Sequence, residues 1–245
     1  MRTLVVLPTY NESENIETVL RRARAVVPAA DILVVDDGSP DGTADIAEKV
    51  GAELGQVEVL RRAAKSGLGS AYRDGFRFGL DRDYDAFVEM DSDLSHDPDA
   101  LPSLLAASEA GAELVIGSRY VPGGVTPHWP WYRLVISKGG NLYARSLLGL
   151  RVRDSTAGFR VYSRGALTSF PIDDVRAEGY GFQVEMTYRV HRAGGTITEV
   201  PITFRDRELG TSKMSSRIVI EALLLVTWWA VRDRILRRSG PSVSH

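Results

Sequence analysis

Two pairs of aspartates directly follow apolar runs that have the composition of β-strands. Leu33-Val34-Val35 leads into Asp36-Asp37, and Phe87-Val88-Glu89-Met90 leads into Asp91-Ser92-Asp93. In an open parallel sheet, ligands bind beyond the carboxyl ends of the strands, so both pairs are expected to face one site. Mg²⁺ or Mn²⁺ takes one or two carboxylates and completes its shell with water and substrate phosphate. The pattern predicts a site for a metal and a phosphate, with turn or helix capping as the simpler alternative for any single aspartate.

An Asp-x-Asp sequence alone also fits other chemistry. A phosphatase with an aspartyl nucleophile could use Asp91 and Asp93, and a phospho-receiver module could use Asp36 and Asp37. The phosphatase motif usually follows the first strand, whereas here it follows about the fourth. A receiver would need only about half of the 245 residues.

Short β-branched runs alternate with helical patterns through residue 117, as in βαβ units around a parallel sheet. Strands are predicted at 3–7, 32–35, 57–60, 86–90, 114–117, 159–162 and 196–201. Helices are predicted between the first two strands and at 43–49, 69–80, 99–109, 134–148 and 182–191. The predicted fold class is α/β, with a Rossmann-like, mostly parallel sheet flanked by helices.

The composition limits the classes of protein that fit the chain. Hydrophobic residues make up 44% and charged residues 25%, which excludes collagen-like, disordered and coiled-coil proteins. A net charge of -2 gives no reason to expect nucleic-acid binding. The absence of cysteine excludes a disulfide framework, a thiolate nucleophile and a zinc ribbon. The expected organisation is one domain over 1–216, a C-terminal amphipathic helix over 217–238 and a tail over 239–245.

The two ends of the chain bear on its location. Residues 1–7 lack the pattern of a secretory signal, so a cytoplasmic location is expected. The apolar run 218–231 has 14 residues and contains Glu221, whereas a membrane-spanning helix needs about 20. A basic cluster follows over 232–238, as in helices that lie in an anionic membrane interface. Peripheral contact with the inner face of the membrane and docking on the core are both left open for this helix.

Six motifs in order, covering nearly the whole chain, closely resemble the dolichol (polyprenol) phosphate mannose synthases. The motifs are Pro8-Thr9-Tyr10-Asn11-Glu12, 35–43 (VDDGSPDGT), Lys65-Ser66-Gly67-Leu68-Gly69, 90–96 (MDSDLSH), Gly117-Ser118-Arg119-Tyr120 and 206–213 (DRELGTSK). These synthases are inverting family-2 glycosyltransferases with the GT-A fold. The sequence departs from the family at Ser92, where alanine is more frequent, and at Ser95, where some members have a glutamine metal ligand.

The resemblance implies roles for individual residues. Those implied to bind the nucleotide sugar are Pro8, Tyr10, Glu12, Val35, Asp36, Ser92, Arg207 and Lys213. The implied metal ligands are Asp91, Asp93 and Ser95, with a backbone carbonyl as the alternative to Ser95. Arg119, Arg133 and Ser137 are implied to seat the acceptor phosphate, and with the two aspartates they form the catalytic set. Asp154, in another family motif, is expected to be structural or orienting.

The resemblance also implies a reaction. Mannose would pass from GDP-mannose to a polyprenyl monophosphate with inversion, with Mg²⁺ or Mn²⁺ as cofactor. A separate membrane protein could anchor the enzyme. Two alternatives stay open: a glucosyltransferase that uses UDP-glucose and the same lipid phosphate, and a membrane-docked module that binds a nucleotide without turnover.

Overall fold

A computed structural model of the chain describes residues 1–206 and 216–238, with side chains at 1–206 and 220–233. The strands in these ranges are β1 (Thr3–Thr9), β2 (Asp31–Asp36), β3 (Val57–Arg61), β4 (Ala86–Glu89), β5 (Leu114–Ser118), β6 (Arg160–Ser163) and β7 (Ile197–Pro201). They form one sheet in the order β3-β2-β1-β4-β6-β5-β7, in which only β6 runs antiparallel to its neighbours. The predicted, mostly parallel sheet is confirmed.

Helices connect the strands and cover both faces of the sheet. They are α1 (Ile16–Val26), α2 (Thr43–Leu54), α3 (Leu68–Leu80), α4 (Leu101–Glu109), α5 (Trp131–Leu148), α6 (Arg164–Thr168), α7 (Tyr180–Arg192) and α8 (Ser216–Arg238). The predicted helices match α1 to α5 and α7 with shifted ends. The short α6 directly follows β6 and has only five residues. It is too short to show a helical period and was not predicted.

The sequence of β1 explains the two-layered core. All seven of its residues are buried, and alternate side chains point to opposite faces of the sheet. Leu4 and Val6 pack in the cluster formed with α3 and α7, whereas Val5 and Leu7 pack in the cluster formed with α1 and α4. A β-carbon at Gly75 of α3 would lie 2.4 Å from Val6 Cγ1, so glycine lets this helix approach the strand closely.

The C-terminal helix α8 belongs to the folded core on one side. Val226, Trp229 and Ala230 are buried against the cluster that includes α7, while Leu224 and Trp228 are exposed. Docking on the core is therefore seen for one face of the helix, and membrane contact stays a prediction for the exposed face. Its amphipathic character stays a prediction. In the described ranges, no helix combines the length and apolar character needed to cross a membrane.

The strand order determines where a ligand can enter. From β1 the chain builds β2 and β3 on one side and then returns to place β4 on the other side of β1. Such a reversal opens a crevice at the carboxyl ends of the two strands where it occurs. The segments that follow β1 and β4 contain Tyr10 and Asp91, so the topology brings two of the predicted motifs to one crevice.

Candidate active site

A cavity of about 700 Å³ occupies this crevice. Many of the predicted site residues line it: Pro8, Tyr10, Glu12, Asp91, Ser92, Asp93, Ser95, Arg119 and Arg133. Three others, Val35, Asp36 and Ser137, are not part of its lining. Arg207 and Lys213 lie outside the described residues.

The turn after β4 holds the two aspartates of the Asp-x-Asp sequence. The Asp91 amide donates to His96 Nδ1 at 3.0 Å, and Asp93 Oδ1 accepts from the Ser95 amide at 3.0 Å. The Ser92 hydroxyl donates to the carbonyl of Pro8 at 2.8 Å, which joins this turn to the end of β1. Leu94, between Asp93 and Ser95, has φ 62°, a conformation that is costly for a residue with a branched side chain. The turn is thus held in a strained shape by two short-range hydrogen bonds and by the contact of Ser92 with β1.

The donor groups of this turn fit a divalent cation. Asp93 is buried, and the Ser95 Oγ next to it is buried with no hydrogen-bond partner in the described part of the chain. An orphaned hydroxyl beside a carboxylate matches a hard cation that prefers oxygen ligands. The described side chains contain no group of three or more His, Asp or Glu placed to hold a metal. A cation here would therefore also need oxygens from the substrate or water, as Mg²⁺ and Mn²⁺ commonly do.

The end of β2 differs from the implied arrangement. Asp36 is buried and accepts hydrogen bonds from the hydroxyls of Thr9 at 3.0 Å and Ser39 at 2.6 Å. The next residue, Asp37, lines the cavity and forms an ion pair with Arg62. Asp36 therefore holds the strand ends together from below the cavity. Of the two neighbouring aspartates, Asp37 is the one that lines the cavity.

Tyr10 also lines the cavity. The ammonium of Lys65 sits 4.0 Å from the centre of its ring. Both residues line the cavity, so the loop before α3 contacts the ring that is implied to bind the nucleotide sugar. Lys65 belongs to one of the six motifs, but that motif gave it no role.

Arg119 is placed by a buried carboxylate. Its Nε and Nη2 donate to the two oxygens of Asp154, each at 2.7 Å, and its own amide donates to Asp154 Oδ2 at 3.0 Å. Burial raises the pKa of the Asp154 carboxyl, but the charge and hydrogen bonds of Arg119 outweigh it, so the pKa lies below its ordinary value. Asp154 thus has the orienting position expected from the sequence.

Arg133, near the start of α5, also has a carboxylate partner. Its Nη1 donates to Asp206 Oδ1 at 2.7 Å, and its guanidinium lies 3.9 Å from the centre of the Trp129 ring. Ser137, one turn further along α5, accepts a hydrogen bond from the Tyr120 hydroxyl at 2.6 Å. Arg133 therefore reaches the cavity, whereas Ser137 contacts Tyr120, whose ring centre lies 5.2 Å from the Arg119 guanidinium.

A buried charge network lies beneath the carboxylates. Glu89 accepts hydrogen bonds from the side chains of Gln183 and Tyr162, and Arg160 is fully buried nearby. Burial raises the pKa of the Glu89 carboxyl to about 7, against the opposing charge of Arg160. This carboxyl thus holds Gln183, which lines the cavity.

Sequence reasoning missed several residues that line the cavity: Lys65, His96, Glu178, Tyr180 and Gln183. Lys65 and His96 lie inside quoted motifs, and a closer look at each motif could have found them. The last three lie just before or in the first turns of α7, where only the pair of glycines around Tyr180 gives a local signal.

The fold and this site define a glycosyltransferase. The family model for Glycosyl transferase family 2 matches residues 4–170, which include the turn with Asp91 and Asp93. The chain belongs to this family.

Characterised relatives cover nearly the whole chain. It is 53% identical over 234 residues to the undecaprenyl-phosphate mannosyltransferase of Micrococcus luteus, with 96% of each chain covered. It is 50% identical over 240 residues to the polyprenol monophosphomannose synthase of Mycolicibacterium smegmatis, covering 98% of this chain and 91% of the relative. The dolichol-phosphate mannosyltransferase of Pyrococcus furiosus is 36% identical, with 98% and 68% covered. These relatives confirm the family resemblance seen in the sequence.

Solved structures confirm the fold. Glucosyl-3-phosphoglycerate synthase from Mycobacterium tuberculosis, in complex with Mn²⁺ and UDP-glucose, has a TM-score of 0.63 at 24% identity, covering 99% of this chain and 80% of that one. A mannosyltransferase from Pyrobaculum calidifontis, in complex with GDP-Man and Mn²⁺, has a TM-score of 0.54 at 14% identity, with 98% and 76% covered.

Proposed function

We propose that this chain transfers mannose from GDP-mannose to a polyprenyl monophosphate, with inversion at the anomeric carbon. The observation that carries the proposal is one cavity lined both by Asp91 and Asp93, here called the carboxylate side, and by Arg119 and Arg133, here called the arginine side. The carboxylates suit a metal-bound diphosphate, and guanidinium groups suit a phosphate monoester. The mannosyltransferase relatives support this choice of sugar and acceptor.

The reaction needs no general base from the protein. A phosphate monoester has a second pKa of ~6 and is largely dianionic at neutral pH. One of its oxygens forms the new bond to C1 of mannose, while the bond from C1 to the β-phosphate oxygen breaks and its electron pair leaves with GDP. The work of the protein is to align these two oxygens on opposite sides of C1 and to exclude water.

Each side of the cavity has a part in this proposal. Asp91, Asp93 and Ser95 would hold Mg²⁺ or Mn²⁺, which supplies charge stabilisation to the leaving diphosphate when bound. Tyr10 and Glu12 would hold the guanosine, with Val35 and Asp36 supporting them from beneath. Arg207 and Lys213 stay proposed as a clamp for the diphosphate and sugar.

A direct assay tests this function. The purified chain is incubated with a polyprenyl phosphate in detergent, Mn²⁺, and labelled GDP-mannose or UDP-glucose. With GDP-mannose we expect label in the organic-soluble lipid and release of GDP. With UDP-glucose we expect no labelled lipid. Transfer from UDP-glucose instead would contradict the proposed donor, and nucleotide binding without turnover would contradict the proposed enzyme activity.

We also propose peripheral contact with the inner face of the membrane, where the acceptor lipid is held. Apolar side chains on α5 and α8 are exposed on the surface, including Trp131 at 77% and Leu224 at 66%. Trp131 lies two residues before Arg133, so this surface adjoins the arginine side of the cavity. Removing an acceptor of such length from the bilayer would be costly, since each buried CH₂ contributes about 0.8 kcal/mol.

Vesicle sedimentation tests the membrane contact. We expect the chain to bind vesicles that contain anionic lipid, more weakly as salt rises, and a Trp131→Ser, Leu224→Ser variant to bind less. Resistance to carbonate extraction would contradict peripheral binding. If the chain does not bind protein-free vesicles but binds native membranes that contain their own proteins, a separate anchor protein is favoured.

A further inference from the structure

Tyr180 lines the cavity and has no role in the function described so far. It is the first residue of α7, and its side chain is partly buried. No described residue forms a hydrogen bond with its hydroxyl, although buried tyrosine hydroxyls usually have a partner. Within the described part of the chain, this hydroxyl is thus a polar group that a ligand in the cavity could engage.

The backbone holds Tyr180 in a defined position. The preceding Gly179 has φ 54° and ψ -129°, a conformation that side chains disfavour. Glu178 accepts a hydrogen bond from the Gly69 amide at 2.8 Å and pairs with Arg73 at 3.3 Å, which ties this turn to α3. The turn depends on this glycine and is bound to α3. The backbone at Tyr180 is therefore held in one position.

The first turns of α7 are fixed from the other side as well. Glu185 accepts hydrogen bonds from the amides of Arg176 and Ala177, at 3.2 and 3.1 Å, and Gln183 donates to the buried Glu89. Tyr180 therefore lies between two anchored segments. A side chain held in this way can offer a hydroxyl at a constant point without the entropy cost of ordering it on binding.

The charges around the hydroxyl indicate which ligand it meets. Burial raises the pKa of Tyr180, and the charges of Arg119 and Arg133 oppose that rise, while Asp91 adds to it. The hydroxyl thus lies in the field of the two arginines and keeps its proton at neutral pH. A neutral phenol can donate one hydrogen bond to an anion without protonating it.

We propose that the Tyr180 hydroxyl contacts the acceptor phosphate, donating a hydrogen bond to it beside Arg119 and Arg133. This inference rests on the proposed function, since it names a further residue that binds the phosphate monoester of that reaction. The contact would orient the phosphate so that a different oxygen, free of the hydrogen bond, faces C1 of mannose. Tyr180 would thereby help to select a phosphate monoester over other lipid headgroups.

The test removes one oxygen atom. Tyr180→Phe keeps the ring and its packing, and Tyr84→Phe is the matched control, because the Tyr84 hydroxyl donates to Asp31 at 2.6 Å away from the residues that line the cavity. The thermal midpoint, the Kd for GDP-mannose with Mn²⁺, and the KM for polyprenyl phosphate at saturating donor are measured for both. A hydrogen bond to a charged group predicts a KM for the acceptor that is roughly 10- to 100-fold higher in Tyr180→Phe.

Each outcome decides the matter. A raised acceptor KM, with the donor Kd and thermal midpoint close to wild type and Tyr84→Phe unaffected in KM, supports the proposal. An unchanged acceptor KM in Tyr180→Phe overturns it, because the hydroxyl then contributes nothing to binding of the acceptor. A weaker donor Kd with an unchanged acceptor KM also overturns it and assigns the hydroxyl to the donor. If the wild-type chain transfers no mannose, the proposed function fails first, and this contact fails with it.

Discussion

The carboxylate side and the arginine side of the cavity hold their charged groups in different ways. Asp93 is fixed by a turn of a few residues whose hydrogen bonds are local. Arg119 and Arg133 are each held by a carboxylate that is distant in the chain, Asp154 and Asp206 respectively. On the carboxylate side, Asp93 thus has a partner within its own turn, while Asp91 also accepts a hydrogen bond from the Tyr72 hydroxyl of α3 at 3.2 Å. The arginine side depends on packing between separate segments.

The two arginines also differ from each other. The ion pair of Arg119 and Asp154 is almost completely buried, whereas Arg133 and Asp206 have 27% and 47% of their side chains exposed. A buried pair cannot exchange partners cheaply, because an unpaired charge in the interior is costly. The exposed pair can do so. Arg133 is thus the arginine that can change its contacts when an anion enters, and Arg119 is the fixed one.

Arg119→Ala should give the largest effect on stability. It leaves the Asp154 carboxylate buried without its partner, a change that typically costs about 3 to 5 kcal/mol. Arg133→Ala removes an exposed pair and should change stability by less than about 1 kcal/mol. Chemical denaturation of both variants measures the difference. Equal losses of unfolding free energy would remove the distinction between a fixed and an exchangeable arginine.

The activity of Arg133→Ala tests the same distinction separately from stability. We expect its acceptor KM to rise while the Kd for GDP-mannose stays near that of wild type, because charge-assisted hydrogen bonds to phosphate are lost. A fall in GDP-mannose affinity with an unchanged acceptor KM would place Arg133 on the donor side.

Asp93→Asn tests the carboxylate side. The amide keeps an oxygen that can accept from the Ser95 amide, so the turn should stay folded. Loss of a charge that stabilises the leaving group typically lowers the rate by ~100- to 1000-fold. Asp99→Asn is the matched control, since Asp99 is an exposed aspartate near the same turn. Near-normal kcat in Asp93→Asn, with its thermal midpoint unchanged, would contradict the metal site.

Glu89, beneath the carboxylate side, should make stability depend on pH. Its pKa of about 7 in the folded chain lies above the ordinary value of 4.5. The stabilising contribution is then complete below pH 4.5 and is lost as pH rises through 7. The loss amounts to at most about 3 kcal/mol. Unfolding free energies of wild type and Glu89→Gln, measured from pH 4.5 to 8, should diverge in this direction, and parallel curves would contradict the assignment.

The same contrast explains which parts of the site could be predicted from the sequence. The turn with Asp91 and Asp93 could be predicted, because apolar strands that end in acids and the strand order of a parallel sheet determine where they meet. The role of Asp36 in binding the nucleotide sugar stays a prediction, since the sequence does not show that Asp37 lines the cavity while Asp36 contacts Thr9 and Ser39. Arg119 and Arg133 pair with Asp154 and Asp206, which lie far away in the chain. No local sequence pattern predicts such ion pairs.

Tyr180 and the outer face of α8 show the same limit. Tyr180 enters the cavity because of a turn whose partners, Gly69 and Arg73, lie on another helix. The apolar run of α8 was compatible with both membrane contact and core docking, and tertiary packing assigns Trp229 to the core and Trp228 to the surface. Sequence patterns identify elements and motifs, but the direction of a single side chain depends on contacts between elements.

Asp206→Asn should give the smallest effect and the sharpest test of the exchangeable arginine. In wild type, the Asp206 carboxylate occupies Arg133 and also accepts from Trp129 Nε1 at 3.1 Å. An acceptor phosphate that binds Arg133 must compete with this carboxylate. Asparagine can still accept from Trp129 but lacks the charge, so Arg133 becomes more available to the phosphate. Because exposed ion pairs contribute about 0 to 1 kcal/mol, the acceptor KM should fall by no more than about fivefold.

Asp173→Asn is the control for this small effect, because it removes the charge of another exposed carboxylate, paired with Arg77. It reproduces the change in net charge without touching Arg133. A lower acceptor KM in Asp206→Asn alone would mean that the carboxylate competes with the phosphate. A higher KM would mean that Asp206 orients Arg133 toward the acceptor, in which case both arginines are fixed and the distinction between them is wrong.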